Sequence, residues 1–185
     1  RGTLKSTGDA AAAAVGLAGL GSYLAGESAT VHLSSSNVTI AGTVSDAGTV
    51  YVGVRSFAAS AIGITTYGYT SLFTARDTFV QVLGRAGAEG TVTADTANAA
   101  AAVVGLSQFG RYTIVDTTGG AMSFFATAQN GSQFVARAMR QSSSVVGLSQ
   151  NANSDTTMDT AQTKISFGAV ALSKSVLSST AGGRS

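Results

Sequence analysis

Gly105-Leu106-Ser107-Gln108-Phe109-Gly110 decides how this chain is read, because forty-two residues after Gly105 it restarts with Gly147-Leu148-Ser149-Gln150. A repeat outranks any single motif, since it implies one structural unit copied along the chain. Halving the step exposes a finer register. Gly21, Gly42, Gly63, Gly84, Gly105, Gly147 and Gly168 lie on a twenty-one-residue spacing whose one break is Ala126. Glycine is 23 of 185 residues, so seven glycines in eight such slots do not arise from composition.

Working outward from that register, the residue before each slot is apolar without exception: Leu20, Ala41, Ile62, Leu83, Val104, Phe125, Val146 and Phe167. Ten residues past each slot a second column reads Val31, Val52, Phe73, Ala94, Val115 and Ala136, then fades to Thr157 and Ser178. Turn-forming clusters such as Ser34 to Asn37, Ser45 to Gly48, Gly87 to Gly90, Thr117 to Gly120 and Asn130 to Ser132 separate β-rich runs. Those runs are Val38 to Val44, Thr49 to Val54, Phe79 to Leu83, Tyr112 to Val115, Ser123 to Thr127 and Gln133 to Ala136. Two local stretches, Asp95 to Asn98 with the alanines after it and Gln133 to Gln141, also fit a helix, and the shared register favours strand for both.

Composition points the same way. The chain has no proline, which cannot donate to a β-ladder and is excluded from interior strands. It has no cysteine, which removes disulfides and thiolate metal sites. A net charge of +2 with 11% charged residues is too little for a nucleic-acid groove, and an apolar share of 44% argues against a disordered tail. The apolar run from Ala10 to Gly26 is short and broken by Gly16, Gly19 and Gly21, so it reads as a first, partial coil or cap rather than a membrane insertion. A start at Arg1 rather than Met is expected of a processed or truncated chain.

The resulting expectation is an all-β β-solenoid of about eight twenty-one-residue strand-turn-strand coils over residues 21–185, preceded by a segment at 1–20. Each row pairs with the next in parallel and in register, giving a body on the order of 40 Å long. Leu20, Ile62, Leu83, Val104, Phe125, Val146 and Phe167 form its inward ladder. On the same alternation Ser123, Phe125, Thr127 and Gln129 face in, and Ile40, Val82, Val103, Phe124 and Val145 form an outward apolar stripe.

Ser123, Gln129, Gly131 and Ala136 fit most of the pattern Ser-x5-Gln-x-Gly-x2-Asn-x-Ala-x3-Gln, while Ser144, Gln150 and Ala152, and Ala102, Gln108 and Gly110, give partial copies. This resembles the curlin repeat of curli-type amyloid fibre subunits. The Asn slots hold Thr113, Phe134 and Asp155 and the last Gln slots hold Gly119, Arg140 and Ala161, which leaves Gln108, Gln129 and Gln150 to stack as an amide ladder. The resemblance implies one coil per repeat, an extracellular location, and end-to-end stacking of copies into a homopolymeric fibre of a biofilm matrix. A nucleator and a secretion channel enter as partners on the same ground. The competing expectation is a solenoid that does not polymerise, such as a piece of an adhesin or phage fibre, or an ice-binding module.

Chemistry finds few residues to work with. His32 is the one histidine, and no acidic pair stands beside it. The carboxylates Asp9, Glu27, Asp46, Asp77, Glu89, Asp95, Asp116, Asp155 and Asp159 are scattered, although Asp95 and Asp116 fall one row apart in one column and so form a stacked pair that reads as gatekeeping charge rather than a calcium site. No phosphate loop accompanies the glycines, and the sequons Asn37-Val38-Thr39 and Asn130-Gly131-Ser132 are expected by chance. The hydroxyl series Ser28, Thr49, Thr70 and Thr91 is interrupted at Tyr112 and Gln133. The expectation is therefore a non-enzymatic protein with no catalytic residue, no cofactor and no metal.

Overall fold

The computed structural model describes residues 2–8, 11–22, 24–55, 57–97, 99–139 and 142–182. Strands occupy 79% of the described residues, and there is no helix among them. In chain order they are β1 (Thr3–Gly8), β2 (Ala11–Leu20), β3 (Ala29–Ser34), β4 (Asn37–Val44), β5 (Thr49–Val54) and β6 (Ala58–Ala86). They continue as β7 (Thr91–Thr96), β8 (Ala100–Ala128), β9 (Gln133–Ala138), β10 (Ser142–Asp159), β11 (Lys164–Ala171) and β12 (Val176–Ala181). Neither helix-compatible stretch is helix where described: Asp95 and Thr96 end β7, Ala97 and Ala99 lie in a bend, Ala100 to Ala102 open β8, and Gln133 to Ala138 is β9 with Met139 in the bend after it. Asn98, Arg140, Gln141 and Asp9 lie outside the described residues.

All pairing is parallel and falls into two sheets. One has the order β1-β5-β7-β9-β12; the other runs β10-β8-β6-β2, with β3 and β4 also on β6 and β11 on β8. Each sheet turns one face to a common core of Val52, Ile62, Phe73, Val82, Val104, Phe124 and Phe134. The apolar run at residues 11–20 is β2, paired with β6.

The pairing step corrects the expected twenty-one. Ala58 lies beside Ala100 and continues in that register to Ala86 beside Ala128, a step of 42. Thr49 beside Thr91 and Thr91 beside Gln133 keep it. After an irregularity between Ala152 and Asp155 the step is 43, so Lys164 pairs with Ala121. The finer period survives because each 42-residue unit has two halves that face one another across the core. A Cβ at Gly84 would come within 2.5 Å of Val104 Cγ2, and one at Gly42 within 2.7 Å of Ile62 Cδ1. Rows 21 apart are thus opposite walls, and rows 42 apart are neighbours.

The 29-residue strands β6 and β8 do not run straight. Ser60 Oγ donates to Ile64 O at 2.9 Å, and Ser107 Oγ donates to Ala100 O at 2.8 Å, so each strand folds back on itself around Gly63 or Gly105. A second bend follows, spanned by Gln108 Nε2 donating to Ile114 O at 3.2 Å. A third sits at Asp77 (φ 47°) in β6 and at Gly119 and Gly120 (φ 70° and 78°) in β8. Residues from Ala58 to Gly68 and from Ala100 to Gly110 are consequently buried on both sides, and sequence alternation is silent there.

Candidate functional site

The glycines of the register divide into two structural roles. Gly63, Gly105 and Gly147 form one column, headed by Gly16, which stands outside the register and pairs with Gly63. A Cβ on Gly63 would sit 1.8 Å from Gly105 O, and one on Gly105 would sit 1.8 Å from Gly147 O, so only glycine lets these backbones stack. Gly42, Gly84 and Ala126 form the other column and give room to Ile62 and Val104 across the core. Alanine at 126 is the break in the period because this column limits side-chain size, not backbone approach. Gly21 lies outside both columns, its N–H bonded to Tyr67 O, and Gly168 lies beside Phe125.

The expected apolar ladder separates in the same way. Ile62, Val104 and Val146 are one ladder, continued by Val15. Leu83 and Phe125 belong to another, headed by Ala41. Leu20 pairs with Tyr67, and Phe167, displaced by the irregularity after Ala152, pairs with Phe124. The facing is reversed in this limb. Phe124 is 1% exposed and Val82 and Ile40 are buried with it, whereas Phe125 is 41% exposed, so the stripe expected outside is the core. Phe79, Leu83 and Phe125 instead decorate the outer surface.

The amide ladder has one rung. Gln150 Nε2 donates to Gln108 Oε1 at 2.8 Å, and the fully buried Gln108 in turn donates to Thr66 Oγ1 at 3.1 Å and Ser71 O at 3.3 Å. Every polar atom of a buried amide needs such a partner. Gln129 is exposed at the turn before Asn130 and takes no part. Other columns carry matched side chains. Phe57, Tyr67 and Phe109 stack, with Tyr67 and Phe109 centroids 6.0 Å apart. Arg111 donates to Tyr69 OH at 2.9 Å and to Ser154 Oγ at 3.3 Å, tying three rungs from outside.

Asp95 and Asp116 are not neighbours: Asp95 is on β7 beside Arg137, and Asp116 is on β8 beside Asp159. His32, Thr74, Asp116 and Asp159 make one column, in which His32 Nδ1 and Thr74 Oγ1 share a hydrogen bond. A search at a step of 42 finds His32, Thr74 and Asp116 in the sequence, and Asp159 joins them only through the extra residue of the irregularity after Ala152. Among the described residues no three His, Asp or Glu side chains converge as metal ligands, and no helix is long and apolar enough to cross a membrane. An open groove of about 570 Å³ runs past Lys5, Tyr51, Arg55 and Asp95.

What the arrangement does expose is its ends. In the last rung Met158 and Phe167 are 47% and 52% exposed, while their neighbours Val115 and Phe124 are sealed. In the first rung Leu20 is 63% exposed beside the buried Tyr67. Among the described residues both ends are open strand edges in their sheets. Such an edge presents unpaired N–H and C=O groups that template a further strand. Comparison with protein-family models, curated proteins and solved structures returned no match.

Proposed function

We propose that the chain is a self-assembling structural subunit of an extracellular, curli-like amyloid fibre, and that it works as a β-solenoid of four coils of about 42 residues. It carries no enzymatic activity in this reading and uses no cofactor. Its partner is another copy of itself, stacked end to end; a nucleator and a secretion channel belong to the same proposal through the resemblance to the curlin repeat.

One observation carries the reading. The inner rungs are sealed, while the outermost rungs leave core-column side chains such as Met158 and Phe167 half open beside unpaired edges. Covering one such side chain contributes roughly 1.5–3 kcal/mol, and a whole rung presents several along with a full set of backbone hydrogen bonds. Chain-to-chain stacking of parallel strands supplies both. The ice-binding alternative loses its array, because Thr49 and Thr91 pair in one sheet while Thr70 pairs with Tyr112 in the other.

Electron microscopy of the purified chain, with thioflavin binding followed over time, tests the proposal. Long unbranched fibres that bind the dye support it. A chain that remains monomeric at high concentration contradicts it and favours a solenoid that does not polymerise.

A further inference from the structure

The two ends of the stack are not complementary. At the C-terminal end β10, β11 and β12 close the same rung, beside β8 and β9. At the other end one sheet stops at β2, β3 and β4, but the sheet containing β5 carries one strand more, β1. If a second copy docks with β1 in place, β1 lies on β12 and β2 to β4 stop one rung short of β10 and β11. That leaves a gap of one strand spacing, about 4.8 Å, in the larger sheet.

The sequence of β1 supplies a second, independent observation. Leu4-Lys5-Ser6-Thr7 matches Leu177-Ser178-Ser179-Thr180 of β12 at three of four positions, with the same residues turned to the core. Leu4 and Ser6 lie beside Val50 and Val52, and Leu177 and Ser179 lie beside Phe134 and Ala136. β1 is thus a copy of β12 resting on β5. Its hold is slight, because Leu4 is 47% exposed and Ser6 adds little apolar surface to the contact. Lys5 Nζ, 5.7 Å from the Tyr51 centroid, adds a cation over a ring where β12 has Ser178.

We infer that β1 is a detachable strap that occupies the acceptor edge of β5 until β12 of a second copy displaces it. This rests on the polymerisation reading. Once β1 leaves, β12 of one copy pairs with β5 of the next, β10 and β11 meet β2 to β4, and the gap closes. β1 therefore holds the monomer back from stacking, and the exchange is nearly neutral in side-chain contacts because the two strands are alike.

Two pairs of engineered thiols test it in a chain that has no cysteine of its own. Lys5 and Tyr51 are neighbours in the monomer, so oxidation of the Lys5→Cys, Tyr51→Cys double variant locks the strap, and elongation is expected to stop until reductant restores it. Fibre growth by the reduced form shows that the variant folds. The second double variant is Tyr51→Cys with Ser178→Cys, whose two positions are three strands apart within a chain, since β7 and β9 lie between β5 and β12. Displacement places position 178 of one copy beside position 51 of the next, so oxidised fibres are expected to run as covalent multimers on a non-reducing gel. Fibres that elongate equally with the strap locked, or that yield only monomers from the second double variant, overturn the inference and leave polymerisation standing. If neither the natural chain nor a variant forms fibres, both fall.

Discussion

Replacing Gly63 by alanine puts a methyl 1.8 Å from Gly105 O, well inside the 3.4 Å at which ordinary contact begins. Relief requires neighbouring rungs to part by about a third of the roughly 4.8 Å strand spacing, which breaks hydrogen bonds on both sides. The overpacking costs about 1–3 kcal/mol. Gly63 also has φ 151°, a conformation that costs a side-chain-bearing residue about 1–3 kcal/mol more. The loss of about 2–6 kcal/mol is a large part of the roughly 5–15 kcal/mol that holds a domain together. Gly42→Ala is the control: its methyl meets the tip of Ile62, which can rotate away, and the related slot already holds Ala126. Less freedom in the unfolded chain offsets about 0.4–1 kcal/mol in both variants, which leaves Gly42→Ala, with overpacking alone, a net loss of about 0–2.6 kcal/mol. Urea unfolding followed by circular dichroism compares the two. Equal midpoints for the two variants would refute the division of the glycines into a backbone column and a side-chain column.

Two further substitution pairs test the facing of the sheets. Phe124→Asp buries a charge in the core and is expected to prevent folding, whereas Phe125→Asp, on the outer surface, leaves the melting curve of the monomer nearly unchanged; the reverse order would restore the inward ladder that alternation alone suggests. Gln108→Leu leaves Gln150 Nε2 and the surrounding acceptors without a partner and is expected to cost about 1–3 kcal/mol, while Gln129→Leu at its exposed turn stays within about 0.5 kcal/mol by thermal unfolding.

These pairs also mark where the sequence is readable. The all-strand character follows from the turn clusters and the missing proline, and β5 lies where the run from Thr49 to Val54 puts it. The period reads at half its structural value because Gly42 and Gly63 both demand small size, one for Ile62 opposite and one for the carbonyl of the next rung. Nothing in residue identity separates those demands except Ala126. The face of β8 reads backwards because Phe124 and Phe125 are equally apolar, and a shift of one residue exchanges the two faces. The amide rung between Gln108 and Gln150 is legible from the duplicated hexapeptide, since a stacked pair must repeat at the rung spacing; Gln129 shares the half period but lies past the end of β8, exposed at the turn.

The axial rise per subunit in the proposed fibre tests the central claim most directly. Four rungs at about 4.8 Å give a rise of about 19 Å when β12 takes the place of β1. Helical reconstruction from cryo-electron micrographs measures it. A rise near 19 Å is the expected result, and a rise near 38 Å, the length of about eight rungs, would contradict the 42-residue coil and its end-to-end assembly.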